Sequence, residues 1–252
     1  IYTTLDHIVD NFKYHGNIDN TPWELIIRLL SIKLIDPNSY FDRSTFLNIA
    51  CQFNDVETVE KLLMIDGIDP NKGDLEYCQT PLMTTIFQIQ RLPQMYFLEG
   101  NIQMKLQRNM AIIELLIQHP KTNINYKDSQ DKSALDYAVD YRYKEIIEIL
   151  MNNERFDPIE SNLDFIFYLA NTESSKILIS SPFLDVNHAF DSTESDEWIG
   201  VSDESISFDD IKKTALIKSV GGNDIEKINM IISHPSFDKD KSDVNSAIFL
   251  AV

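Results

Sequence analysis

Residues 122–150 read TNINYKDSQDKSALDYAVDYRYKEIIEIL, and the fold is decided there. The opening string, Thr122-Asn123-Ile124-Asn125, is rich in side chains that bond their own backbone and favour turns. Ser133-Ala134-Leu135-Asp136-Tyr137-Ala138 then sets a hydroxyl where a helix is capped, an aliphatic two residues later, and a small residue three beyond that lets a second helix approach. Ile146, Ile147 and Leu150 follow at the spacing of three and four that marks one face of a second helix. Leu135 and Leu150 lie fifteen residues apart. The stretch therefore predicts a turn followed by two antiparallel helices.

Working outward, the turn string recurs. An apolar or hydroxyl residue, an Asp or Asn, any residue, then usually Asn or Asp occurs as Ile35-Asp36-Pro37-Asn38, Ile68-Asp69-Pro70-Asn71, Thr122-Asn123-Ile124-Asn125, Phe156-Asp157-Pro158-Ile159, Leu184-Asp185-Val186-Asn187 and Phe237-Asp238-Lys239-Asp240. Their second positions are separated by 33, 54, 34, 28 and 53 residues, a period near 33 with two insertions of about 20 and one shortened copy. Pro37, Pro70, Pro120, Pro158, Pro182 and Pro235 fall within or just before the strings, where they stop helices. The helix-opening pattern recurs from Thr45, Thr80, Thr214 and Ser246, with Leu47, Leu82, Leu216 and Ile248 as the expected buried aliphatics. Fifteen-residue partners recur as Leu47 to Leu62 and Leu216 to Ile231.

A turn, a helix of the Thr-Pro-Leu-His-x-Ala kind and a second helix with paired leucines resemble the ankyrin-repeat family, over roughly residues 39–252. The resemblance implies an all-α, ankyrin-like solenoid of stacked antiparallel helix pairs with short hairpin turns. About six to seven units are expected, with residues 1–38 as a degenerate N-terminal cap and a truncated last repeat. The His-Pro pairs at 119–120 and 234–235 resemble divergent, protist-like versions of the family. Against the family pattern, the glycine between the helices is replaced by Asn54, Arg142 and Asn223, and a second glycine by Asp131. These residues visit left-handed backbone less readily than glycine, which implies modest stability.

Two segments depart from the unit. Residues 86–108, rich in aromatic and aliphatic side chains, are expected to lengthen both helices of the second copy. Residues 188–210 carry Asp191, Glu194, Asp196, Glu197, Asp203, Glu204, Asp209 and Asp210 without a Lys or Arg, and read as a solvated acidic finger in a hairpin. Ahead of the array, Leu5, Ile8, Val9 and Phe12 form one helical face, and Thr21-Pro22-Trp23-Glu24 reads as a capping box opening a helix to Leu34. The chain starts without Met and stops inside what reads as another first helix, from which a longer polypeptide is expected. The fourth copy, with eight residues from Ala170 to Leu178 against twelve from Ala50 to Leu62, reads as lacking a helical turn.

Composition narrows the chemistry. The 252 residues carry 22 Lys and Arg against 40 Asp and Glu, a net charge of -18 that repels a phosphate backbone and suits a basic protein partner. No nucleic acid, membrane or cofactor is expected. Seven glycines form neither GxGxxG nor GxxxxGK, so these phosphate cradles are missing. Two cysteines, Cys51 and Cys78, make no disulfide framework, which points to the cytoplasm, with the nucleus also open. His7, His15, His119, His188 and His234 lack metal spacing, and His119 and His234 are expected to serve helix ends. The acidic finger does not follow the calcium-loop order, and its Thr193 and Ser207 carry only a weak kinase signal. Cys51 reads as a packed residue rather than a nucleophile.

What remains is surface. The resemblance places partner contacts on the hairpin tips and the exposed ends of the first helices. By position these are Gln52, Phe53, Asp140, Tyr141, Gly221 and Gly222 in the concave groove and Tyr77, Tyr126, Ser129 and Gln130 at the tips. Tyr and Phe suit interfaces because they bury much area with few rotatable bonds, although Phe53 or Tyr141 could equally pack within the array. The expected function is a non-enzymatic scaffold binding another protein. The alternatives are a regulatory, inhibitory or targeting domain of an enzyme whose catalysis lies outside these residues, and an enzyme using the finger and a divalent metal.

Overall fold

The computed structural model describes residues 23–41, 43–95, 99–190, 213–244 and 247–248, with side chains outside 91–102. Among these residues the chain is helix-rich. In order come α1 (Trp23–Ser31), β1 (Tyr40–Phe41), β2 (Ser44–Thr45), α2 (Phe46–Gln52), α3 (Val56–Leu63), α4 (Pro81–Met95), α5 (Glu99–Gln118), α6 (Ala134–Asp140), α7 (Lys144–Met151), α8 (Leu163–Leu169), α9 (Thr172–Leu178), β3 (Ala189–Phe190), β4 (Lys213–Thr214), α10 (Ala215–Gly221) and α11 (Ile225–Ser233). The strands form two small antiparallel ladders, Tyr40↔Thr45 with Phe41↔Ser44 and Ala189↔Thr214 with Phe190↔Lys213. The chain divides into two compact units, residues 1–137 and 138–252, with the boundary inside α6.

The turn strings share one local geometry. In each, the second-position carboxylate or amide accepts from the N–H two residues on: Asp36 from Asn38, Asp69 from Asn71, Asn123 from Asn125, Asp157 from Ile159, Asp185 from Asn187 and Asp238 from Asp240, at 2.8–3.0 Å. This is the Asx turn, and it requires Asp or Asn at that place. At three strings the asparagine in the fourth place then reaches the following string. Asn38 donates to Gly67 O and accepts from Asp69 N; Asn71 does the same with Lys121 O and Asn123 N; Asn187 does so with Ser236 O and Asp238 N. A side-chain amide suits such a clamp because it carries its donor and its acceptor on separate atoms side by side. Where the fourth place is Ile159, no amide is present, and the N–H of Asp185 is instead accepted by Asp164 at 2.9 Å.

Helix starts follow the hydroxyl and carboxylate pattern. Thr45, Thr80, Ser133 and Thr214 accept from N–H groups three residues on, and Asp55, Asn171 and Asp224 do likewise for the second helices α3, α9 and α11. The residues expected in place of turn glycines take left-handed backbone: Asn54 (φ 59°), Arg142 (63°), Asn223 (52°) and Asp131 (60°). Helix α1 ends at Ser31 rather than Leu34, because Lys33 turns left-handed (φ 57°) and its N–H closes onto Leu30 O. Thr21 and Pro22 of the expected capping box, and residues 1–20, lie outside the described residues.

In the first unit α2 packs on α4, and α3 on α5. Leu47, Val59, Leu62, Leu82, Ile86, Ile112, Ile113 and Leu116 are buried there. The 86–108 insertion lengthens both partners, to 15 residues in α4 and 20 in α5. In the second unit α8 packs on α10 and α9 on α11, with Ile146, Ile147, Leu150, Leu178 and Ile231 buried. The acidic residues 191–210 lie outside the described residues; the ladder β3–β4 joins the segments flanking them.

Two expectations need correction. The fourth copy does not lack a helical turn: Leu163 and Leu178, both buried, keep the fifteen-residue spacing, and α8 and α9 each span 7 residues. What is short is the approach, six residues from Asp157 to Leu163 against eleven from Asp36 to Leu47, so no hairpin precedes α8. In the last copy Ile248 is 59% exposed, and the buried residue is Ala247. The turn before it mirrors that before α8, with Asp243 left-handed like Asn162, which shifts the register by the length of the missing hairpin.

Candidate functional site

The predicted tip residues of the first unit come together on a built edge. Asp74 accepts from the N–H groups of Glu76 and Tyr77 at 2.7 Å, and Asp128 from those of Gln130 and Lys132 at 2.8 and 3.0 Å. Each carboxylate thus shapes its own loop, and Cys78 (φ 58°) and Asp131 turn the chain back. A Cβ at Gly73 would meet Cys78 O at 2.3 Å, so only glycine fits beneath the first loop. The loops are then tied side to side: Leu75 N donates to Arg43 O (2.8 Å) and Ser129 N to Tyr77 O (2.9 Å). Tyr137 fixes the edge from below, donating to Asp128 (2.6 Å) and accepting from Gln79 (2.7 Å).

On this edge Tyr40, Leu75, Tyr77 and Tyr126 stand 37–54% exposed, beside exposed Ser129 and Gln130. Such side chains leave apolar area in water, unlike the buried core beneath. The Lys72 ammonium lies 4.4 Å over the Tyr40 ring. A hydrogen bond to Glu76 holds the Tyr77 phenol above its ordinary pKa, so it stays neutral. The other predicted residues lie elsewhere. Gln52 is exposed at the end of α2, and half-buried Phe53 caps that helix through its N–H. Asp140 and Tyr141 belong to the second unit, where the half-buried Tyr141 ring lies 6.0 Å from Tyr143. Gly221 and Gly222, both exposed, end α10.

Sequence reasoning missed Tyr40 and Leu75, although both sit beside the turn residues it used. It also missed a cluster in the second unit. Phe165, Tyr168 and Phe190 have ring centroids 5.1–6.1 Å apart, with His188 4.5 Å from Phe190 and 3.3 Å from Asp164. The Lys218 ammonium lies 4.5 Å over Tyr168, and burial holds its pKa down. Numbering the fourth copy from Leu163, by its fifteen-residue spacing to Leu178, would have placed Phe165 with Tyr137 and Lys218, and Tyr168 with Asp140 and Gly221.

Lys227 is the other unanticipated residue. It is 3% exposed, and its amine donates to Phe167 O (2.7 Å) and Ala170 O (2.6 Å) at the end of α8, over the Phe167 ring. In the other pairs the carbonyl equivalent to Phe167 O accepts from the left-handed residue: Cys51 O from Asn54, Val139 O from Arg142, Val220 O from Asn223. Ala170 holds that place in α8 but is extended (φ -60°, ψ 142°), so the carbonyl is left for Lys227. Burial pushes the amine down to about 7, helped by nearby Lys218 and opposed by Asp224.

Cys51 is fully buried and its thiol is pushed up to about 12, which keeps it protonated. His119 and His234 follow α5 and α11, where each ring accepts from a turn N–H two residues on, of Lys121 and Ser236, rather than donating to the helix carbonyls as expected. Among the described residues no group of His, Cys, Asp and Glu could hold a metal ion, and no helix is long and apolar enough to cross a membrane. Thr193 and Ser207 lie outside the described residues. In comparison with known proteins, the chain matches no family model and no curated protein.

Proposed function

We propose that this chain is a divergent ankyrin-like array of helix pairs that acts as a non-enzymatic scaffold and holds another protein against its loop edge. The observation that carries this reading is the edge itself: loops 74–79 and 126–132, joined through Ser129 N and Tyr77 O, present Leu75, Tyr77 and Tyr126 to solvent on a braced main-chain frame. Loops braced in this way pre-organise aromatic contacts and lower the ordering cost of binding. The recurring strings and the amide clamps between them support the array, since each clamp makes one helix pair locate the next. The net charge of -18 favours a partner with a basic surface.

The test is capture of partners from a cell extract by the whole chain and by a Leu75→Ser, Tyr77→Ser, Tyr126→Ser variant whose circular dichroism matches the parent. Loss of the captured protein in the variant supports the edge. Equal capture by both moves the contact off it, and capture of nothing by either ends the scaffold reading.

A further inference from the structure

We infer that the aromatic cluster of the second unit, Phe165, Tyr168 and Phe190 with Asp164 at its rim, is a docking site for the Arg or Lys side chain of a basic protein segment. The inference rests on the scaffold reading and adds to it a second contact point with a stated chemistry.

Three observations converge. First, the cluster is assembled from separate elements: Phe165 and Tyr168 of α8 stack on each other, and Phe190 of β3 meets Phe165 edge to face and Tyr168 at a tilt. Phe165 and Phe190 are half-buried, so each keeps area open to a guest. Second, it already holds a cation. Lys218 comes from α10 to rest 4.5 Å over Tyr168, and its pKa is held down by burial, with no carboxylate in salt-bridge contact among the described residues. An ammonium placed there without a counter-ion is held by ring faces, which attract cations through their quadrupole. Lys218 thus shows what the site accepts and partly fills it. Third, the surrounding charge is negative. Residues 138–252 carry 10 Lys and Arg against 22 Asp and Glu, a net -12. Half-buried Asp164 lies on the same helix as Phe165 and Tyr168 and is engaged by His188 at 3.3 Å and by the N–H of Asp185. A basic segment is drawn by that field, and an acidic one is repelled.

Guanidinium suits the site best, because it stacks flat on aromatic faces while pairing with a carboxylate. An arriving Arg would lie across Phe165 and Phe190, with Asp164 as its counter-ion and Lys218 as its competitor. Because half-buried Lys218 competes for the ring faces, its removal strengthens binding.

The experiment is fluorescence anisotropy of the whole chain with labelled octa-arginine and octa-glutamate at 0.15 M salt. Octa-arginine binds in preference, and Phe165→Leu with Phe190→Leu, which keeps apolar bulk and charge but removes ring faces, weakens it about five- to thirty-fold. Lys218→Met strengthens it at least two-fold. Equal affinity in the leucine variant would mean that octa-arginine senses net charge alone, and tighter octa-glutamate binding would reverse the chemistry; either overturns the proposal. Should the leucine variant not fold, Lys218→Met decides, and no gain with octa-arginine overturns it. If octa-arginine does not bind while the loop edge still captures its partner, this docking site fails and the scaffold reading stands.

Discussion

The turn from α2 to α3 and the turn from α8 to α9 do the same work with different chemistry. In the first, Asn54 goes left-handed and its N–H returns to Cys51 O, so the helix end is satisfied within the turn. In the second, Ala170 stays extended, and the carbonyls are satisfied from α11 by the Lys227 amine. A local cap costs the unit nothing elsewhere. A remote cap ties α8 to the presence and protonation of another helix, so the second unit carries a dependence that the first does not. The buried titratable groups differ accordingly: Cys51 is raised to about 12, and Lys227 is lowered to about 7.

The largest effect expected from this difference is in the cores. Leu62→Ala should cost about 2–5 kcal/mol, since Leu62 is fully buried in α3, which packs on the long helix α5, whereas Leu178→Ala should fall at the low end of that range. Chemical denaturation compares them, and equal losses would mean that the second unit packs as tightly as the first. In the same spirit, hydrogen exchange should open residues 163–187 before α2–α5, because no hairpin braces α8. Strong protection of 163–187 would break the contrast.

Next comes Lys227. The folded amine titrates near 7 and the unfolded one near 10.5, so between these pH values the unfolded chain holds a proton that the folded chain does not, and stability rises with pH. Cys51 acts the other way, its contribution being full below about 9 and lost toward 12. Stability should therefore climb from pH 7 to 9. Lys227→Met should flatten the climb and cost about 1–3 kcal/mol at pH 9 by leaving Phe167 O and Ala170 O unpaired. A flat parent profile over that range would show that the amine stays charged.

Asn187→Ala removes one clamp, including the bonds to Ser236 O and Asp238 N, and should lower stability by about 1–2 kcal/mol. Asn187→Asp, which keeps the acceptor only, should recover part of it. Smallest is Glu173→Gln. Glu173 pairs with Lys144 and Lys176 on exposed helix faces, and Lys176 with Glu226, so the midpoint should not move in high salt.

Helices were legible where hydroxyl caps and fifteen-residue spacings agreed, as from Ser133 to Leu150. The left-handed places of Asn54, Arg142, Asn223 and Asp131 were legible because glycine's absence from a turn forces a substitute. The fourth copy was misread because Ala170 was matched to Ala50 by its smallness, while the Leu163–Leu178 spacing gave the true register. That single shift hid Phe165 and Tyr168. Lys227 carried no local signal, since its partners are 57 and 60 residues away. Of the site residues, Tyr77, Tyr126, Ser129 and Gln130 were placed by turn position alone, whereas Gln52, Phe53, Asp140, Tyr141, Gly221 and Gly222 sit at helix ends outside that edge.

The amide clamps make a joint that is indifferent to length. Asn38 closes its two bonds over 29 and 31 residues, Asn71 over 50 and 52, and Asn187 over 49 and 51, because each grips only the main chain of the following string. A chain jointed in this way can gain sequence between joints, in a helix as at 86–108 or beyond a two-rung ladder as between Phe190 and Lys213, without refitting what lies on either side. Growth by insertion is then the inexpensive direction of change for this molecule, and new surface arises between fixed points rather than by redesign of them.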